Sequence, residues 1–362
     1  MSPKIKIALR RIAIFIILWL TLGLVYVIIE RGILGDSETY PATGNPYDFK
    51  GALISIVPGA ILMGSLFGVL EVLVINTLFR HKPFLVKLII KSLIYLGILI
   101  LFLITMTIFS NAYQLNLSIL DTEVMEKLGV FVNNLAFWSV IIFAGIGTMG
   151  AVFISEITNY LGPNVLVNFL SGKYHKPRVE SRIFMFLDMK SSTSIAERLG
   201  HEEYFSFLND YFADLTEPIV AYDGEIYQFV GDEIVATWKT DSVNNCDIAI
   251  AAFFDAKSLF RTRENFYQKK YGIIPDFKAG IHGGKVSTGQ IGTVKKEIVF
   301  SGDVLNTAAR IQALCNTYDA DLLVSHWIME QSDKSNQIVI KEIGKLELKG
   351  KSEEIMIYQL SK

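Results

Sequence analysis

The amino-acid sequence predicts an α+β protein in two parts: four membrane-crossing helices, then a globular domain in which short strands and helices alternate. Three observations predict it. The 362 residues are 51% apolar and only 19% charged, too apolar for an ordinary soluble domain and unlike a disordered chain. Charge is unevenly spread, with 20 of the 70 Asp, Glu, Lys and Arg residues before position 161 and 50 in the last 202. From Arg182 onward, β-rich runs alternate with runs of helical period. A net charge of −2 excludes a surface built on excess Lys and Arg, so no nucleic-acid partner is expected.

Uncharged runs from Ile12 to Ile29, Ser92 to Phe109 and Leu135 to Ser155 are each long enough to cross a bilayer core. A further run from Gly51 to Phe79 is also long enough, although it carries Pro58 and one carboxylate, Glu71. The first run is too long for the apolar core of a signal peptide and lacks a small-residue cleavage site, so it is expected to persist. Basic residues precede the first span (Lys4, Lys6, Arg10, Arg11) and separate the second from the third (Arg80, Lys82, Lys87, Lys91). That asymmetry predicts both termini on the cytoplasmic side of a multi-pass plasma-membrane or inner-membrane protein in contact with lipid. The outer loops, Arg31 to Lys50 and Asn111 to Asn134, are too short to fold as independent sensor domains. Ionising Glu71 inside a span is costly, which makes it a functional candidate; the alternative is a carboxylate that faces a neighbouring helix or snorkels.

The expected boundaries are a membrane domain over 1–155, a helical linker over 156–180 and a globular domain over 181–362. The linker reads as an amphipathic piece, with Val165, Leu166, Phe169 and Leu170 at helical spacing, followed by a turn rich in Gly and Pro. In the globular part, RIFMFLD reads as a buried strand ending on Asp188. Ser194 and Glu197 then have the spacing of a capping box at the head of a long helix. DGEIYQF and EIVATW are strands separated by Val-Gly-Asp, which puts Asp232 in a hairpin turn. Asn244 to Lys270 reads as helix, and FKAGIHGGKVSTGQIG as a strand, a glycine-rich bend and a second strand. EIVFSG is a strand, and DVLNTAARIQALC is a helix with Asn306 and Arg310 on one face. The strand-rich end carries Lys349 in a Lys-Gly-Lys turn. Strand, helix, hairpin, helix and further strands suggest a ferredoxin-like core with additions. Cys246 and Cys315 have neither metal-ligand spacing nor the number of a disulfide framework, which suits a reducing cytosol.

In order and spacing, FLDMKSST, QFVGDEIVA, GIHGGKV, SGDVLNTAAR and LKGK resemble the catalytic domain of the class III adenylate and guanylate cyclase family. The resemblance covers about residues 180 to 361. It implies that Asp188 and Asp232, with the carbonyl of Met189, hold two Mg²⁺ or Mn²⁺ ions, for which hard carboxylate oxygens are suited. Lone aspartates in turns are otherwise turn formers or helix caps. Thr193 matches the family's phosphate-loop threonine, whereas Lys190, Ser191 and Ser192 depart from the usual residues there. Lys285 matches a triphosphate contact and is otherwise a solvated surface charge. Asn306 and Arg310 match the pair that orients the ribose and stabilises charge on the α-phosphoryl group, and Lys349 matches a lysine for the terminal phosphates.

In relatives the metal side and the Asn/Arg side of a site come from different subunits, so a homodimer is implied. Gln228 and Val299 occupy the positions that read the base and match neither the adenine-selective nor the guanine-selective pair. Gln228 can donate and accept, while Val299 offers only an apolar contact. The expected reaction is conversion of ATP to 3′,5′-cyclic AMP and pyrophosphate, with GTP or a pyrimidine triphosphate as alternatives. A decayed, inactive module tethered to the membrane is the reading of a different class.

Overall fold

The computed structural model describes residues 3–40, 46–79, 82–161, 163–240, 245–332, 338–347 and 354–362. Arg80, Asn244 and Lys349, named above, and Gly162 of the linker lie outside the described residues. The chain divides into two compact units, essentially 5–161 and 162–362.

In the first unit, helices α1 (Pro3–Leu34), α2 (Phe49–Leu70), α4 (Phe84–Leu115) and α6 (Leu135–Leu161) supply four segments long and apolar enough to cross a membrane. Asp48 caps α2 by accepting from the amides of Lys50 and Gly51, and Pro58 is accommodated inside the helix. α2 passes into a π-helical turn at Glu71–Ile75 and a last α-turn, α3 (Asn76–Leu78). Gly64 and Gly68 let α1 approach closely, since a Cβ there would lie 2.6 Å from the Ile16 Cα and 2.8 Å from the Ile12 Cα. Phe67 stacks on Tyr95 at 4.6 Å between ring centroids, with Phe15 and Trp19 edge-on around them. Outside this core, Ile17, Ile28, Ile54, Leu93, Leu101 and Ile142 are exposed, as expected of side chains that meet lipid.

Two expectations are corrected here. Lys87 and Lys91 are not loop charges, because α4 already begins at Phe84. Lys91 is fully buried and bridges two carboxylates, Glu71 at 2.5 Å and Glu156 at 2.6 Å. Tyr95 donates to the other oxygen of Glu71 at 2.6 Å, and Lys87 lies 3.7 Å from Glu156. Glu71 therefore faces the neighbouring helix as a paired, buried carboxylate. The second correction concerns the loop expected over Asn111 to Asn134. There α4 continues to Leu115 and ends on left-handed Asn116, and a further helix, α5 (Thr122–Val132), is capped by Asp121.

The second unit begins with α7 (Pro163–Leu170) and a turn into β1 (Arg178–Met189). There follow α8 (Ser192–Ala221), β2 (Glu225–Val230), β3 (Glu233–Lys239), α9 (Asn245–Tyr271), β4 (Phe277–Ile291), β5 (Glu297–Ser301) and α10 (Asp303–Leu314). β6 (Leu322–Ser325), α11 (His326–Glu330), β7 (Val339–Glu347) and β8 (Glu354–Ser361) complete it. The strands form one sheet in the order β2-β3-β1-β4-β6-β8-β7, with β5 added to β4. Alternation along β1 builds two cores. Ile183, Met185 and Leu187 pack with α8 and α9, while Phe184 and Phe186 pack with Val304 and Ala308 of α10.

The fold is thus α+β, with three local departures from the sequence expectation. α8 starts at Ser192 after left-handed Ser191, so Ser194 sits inside the first turn and forms no capping box; Gly200, at φ 73°, breaks the helix about two turns from its start. β4 is a single strand of 15 residues rather than two strands around a bend. Its glycines serve packing instead: a Cβ at Gly280 would lie 2.3 Å from the Gln312 amide nitrogen, and one at Gly283 would enter the Trp327 ring. β6, absent from the sequence reading together with α11, is the strand parallel to β4.

Candidate functional site

Asp188 lies near the end of β1, directly opposite Lys278 of β4 in the antiparallel register. That register brings the Lys278 ammonium 3.1 Å from its Oδ2, and Gln312 of α10 donates to the same oxygen at 3.0 Å. Close packing of α10 on Gly280 is what carries Gln312 to β1. Asp232 follows Gly231, whose φ of 62° makes the two-residue turn between β2 and β3. Asp188 and Asp232 come within hydrogen-bonding reach of each other, and Ser192, at the head of α8, donates to Asp232. Burial and the neighbouring charge of Asp188 hold the Asp232 carboxyl above the ordinary range despite that donor. Glu233 is pushed up to about 7 by burial and then by the charges of Asp188 and Asp232. The sequence expectation that the two aspartates converge is realised in this arrangement.

The pair suits hard divalent cations. Among the described residues no group of three or more His, Cys, Asp or Glu side chains could close a cage around a metal. Two adjacent carboxylates with no third side chain closing around them leave an open, oxygen-rich arrangement of the kind hard divalent cations favour. The Met189 side chain is buried in the core, so only its backbone carbonyl could join them.

Thr193 is exposed in the first turn of α8. Lys190 is engaged elsewhere, pairing with Asp276 at 2.9 Å and with Asp321, and is not free for a phosphate. On α10, Asn306 is exposed and Arg310 half-buried, one helical turn apart. Lys285 is exposed on β4. Among the described residues, neither Arg310 nor Lys285 has an ion-pair partner, so both charges are uncommitted. Gln228 is exposed on β2 and Val299 half-buried on β5. Lys349 lies outside the described residues. One chain brings Asp188, Asp232 and Met189 together, with Thr193 close by in sequence.

Sequence reasoning missed Lys278, Gln312, Ser192 and Glu233 as neighbours of the pair. The only signal for Lys278 is a lysine in an otherwise apolar strand, FKAGI, which demands a buried partner.

The domain thus carries a carboxylate pair at a strand end and a hairpin turn, and, on α10 and β4, two cations without ion-pair partners among the described residues. The profile of the Adenylate and Guanylate cyclase catalytic domain matches residues 175–362. As this is more than half of the chain, the protein belongs to that family. Adenylate cyclase 2 of Rhizobium meliloti (strain 1021) is 31% identical over 223 residues, 62% of this chain and 61% of the relative. Adenylate cyclase of Anabaena cylindrica is 30% identical over 185 residues, 49% of this chain and 36% of that relative. The chain thus spans less than two thirds of either. The structure of a bacterial light-regulated adenylyl cyclase superposes with a TM-score of 0.53 at 21% identity, covering 63% of this chain and 66% of that one, and shares its fold.

Proposed function

We propose that the protein is a membrane-anchored adenylate cyclase that converts ATP to 3′,5′-cyclic AMP and pyrophosphate at the interface of a homodimer, with both termini in the cytoplasm. The observation that carries this reading is the adjacent pair Asp188 and Asp232 on a domain of the cyclase family, in a chain that also carries an Arg310 free of any ion pair among the described residues. The adenine preference is supported by the names of the relatives, and the anchoring by the four apolar helices.

In this reading Asp188, Asp232 and the Met189 carbonyl hold two Mg²⁺ or Mn²⁺ ions. When bound, these neutralise the triphosphate and acidify the ribose 3′-hydroxyl. The backbone at the head of α8, with Thr193, receives phosphate at a helix N-terminus, and Lys285 and Lys349 pair with the triphosphate. Asn306 orients the ribose. Arg310 meets the charge that develops on the α-phosphoryl group as the 3′-oxygen attacks in line, its proton leaves to solvent and the bond to pyrophosphate breaks. Gln228 and Val299 meet the base.

The test is a product assay by mass spectrometry, with each of the four nucleoside triphosphates and Mn²⁺ or Mg²⁺, and Asp188→Ala beside the wild type. Cyclic AMP that vanishes in the variant is the expected result. A different cyclic nucleotide would keep the mechanism and overturn the substrate, and no cyclic product under either metal would leave an inactive module.

A pH dependence follows from the raised carboxyls. Asp232 and Glu233 bind protons more tightly folded than unfolded, so their ionisation lowers stability as pH rises from the ordinary carboxylate range through about 7. Metal binding requires ionised Asp232 and is strengthened by the negative charge of neighbouring Glu233, so it is favoured in the opposite direction. Lowering pH from 8 to 6 should therefore weaken apparent Mn²⁺ affinity by up to about tenfold, read as a smaller metal-induced rise in Tm. Glu233→Gln should flatten this dependence. Equal metal-induced shifts at both pH values would show that the carboxyls are already ionised at pH 6.

A further inference from the structure

The largest fully buried side chain among the described residues is a charged one, Arg182. A guanidinium is kept in a protein interior only where its donors are satisfied. Arg182 Nε donates to Glu180 Oε2 at 3.0 Å, Nη1 to Glu225 Oε2 at 2.9 Å, and Nη2 to the Tyr174 hydroxyl at 3.1 Å. Its plane lies over the Phe300 ring, 4.5 Å from the centroid. These partners come from four places: the turn between α7 and β1, β1 itself, the start of β2, and β5.

Those elements bear on the base-reading positions. Gln228 is three residues beyond Glu225 on β2, and Val299 directly precedes Phe300 on β5. The two strands are tied again by Tyr227, whose ring meets Phe300 at 4.9 Å, with Phe184 edge-on to both. In the pairing of β2 with β3 the register shifts between Ile226 and Gln228, leaving Tyr227 as the extra residue of a bulge. On the linker side, the Tyr174 hydroxyl donates to Glu180 at 3.0 Å, and its carbonyl accepts from the Gln290 amide at 3.0 Å. The residue before Gln290, Gly289, is the register partner of Val299. Because the guanidinium is a planar fork with fixed donor directions, a shift of Tyr174 must be taken up by Glu225 and Phe300.

We propose that Arg182 is a positioning residue that joins the linker, through Tyr174, to the two strands carrying Gln228 and Val299, so that the seating of the linker sets which purine nucleotide is held productively. This rests on the reading of Gln228 and Val299 as the base-facing pair. Nothing in the family resemblance assigns Arg182 a role.

The test uses the full chain in lipid nanodiscs. Equilibrium binding of ATP and of GTP is measured with Mg²⁺ for wild type, Tyr174→Phe and Phe300→Leu, two variants that leave the buried charges balanced. Arg182→Met strands Glu180 and Glu225 and is paired with Glu225→Gln to keep it folded. The expected result is a change of about tenfold in the ratio of the two dissociation constants for Phe300→Leu and the Arg182 double variant, and a smaller change of the same sign for Tyr174→Phe. Pyrophosphate binding, measured by the same equilibrium method and reading only the phosphate and metal groups, should stay at the wild-type value. A ratio within about twofold of wild type in all three, or a parallel loss of pyrophosphate binding, would reduce Arg182 to a structural ion and overturn the proposal. Absence of cyclic product in the wild type would count against the catalytic reading alone, since the binding ratio is read without turnover; binding of neither nucleotide would overturn both.

Discussion

Chains carrying Asp188→Ala and chains carrying Arg310→Ala should each lose cyclase activity by about 10²-fold or more, while an equimolar mixture recovers about a quarter of the wild-type rate. The loss follows from the charges involved. In the proposed mechanism Asp188 is one of two carboxylates that hold divalent ions, and no third side chain stands ready to replace it among the described residues. Arg310 is a cation with no competing partner there, and so is free to meet charge that appears only in the transition state. The recovery follows from symmetry. In a mixed dimer one site receives both lesions and the other receives neither, and random pairing makes half of the dimers mixed. Recovery measured after unmixed controls of each variant would establish that the two residues act on one nucleotide from different chains. Failure to recover, with dimers confirmed by mass photometry, would place the whole site in one chain and remove the homodimer from the mechanism. Asn306→Ala should behave as Arg310→Ala does in the same mixtures, because the two sit one turn apart on α10.

How far the sequence could be read depended on the range of each interaction. Asp188 and Asp232 were legible because one lies at a strand end and the other in a hairpin turn, patterns contained within a few residues. Asn306 and Arg310 were legible for the same reason, since helical period puts them on one face. Lys278 and Gln312 were not. Their place beside Asp188 depends on the β1 to β4 register and on the approach of α10 to Gly280, and Gln312 is 124 residues from its acceptor. β6 was missed because Leu322, Leu323 and Val324 form too short an apolar run to show any period, although all three are fully buried. In the membrane unit the lengths of the spans were plain from composition, but their ends were not. Lys82, Lys87 and Lys91 follow one another at intervals that suggest a basic loop, and only the packed helices show that the last belongs to the interior.

That interior lysine makes the second large effect. Lys91→Met should destabilise the membrane unit by about 3–5 kcal/mol, because it leaves Glu71 and Glu156 buried without their shared counter-ion. The carboxylates come from positions 20 and 65 residues away, on the π-turn after α2 and on α6, so the ammonium is a junction of three helices. Lys87 is a poor substitute, since it is partly exposed and 3.7 Å from Glu156 alone. Glu71→Gln should cost less, because an amide still accepts from Tyr95 and Lys91 retains Glu156. The decisive variant is Lys91→Met combined with Glu71→Gln and Glu156→Gln, in which no charge remains to be compensated at the junction. Thermal unfolding of the full chain in nanodiscs should place it well above Lys91→Met alone. A single Lys91→Met as stable as wild type would mean that water or lipid headgroups reach the two carboxylates. An unrescued triple variant would mean that the charges themselves, rather than their balance, hold α4 against the π-turn and α6.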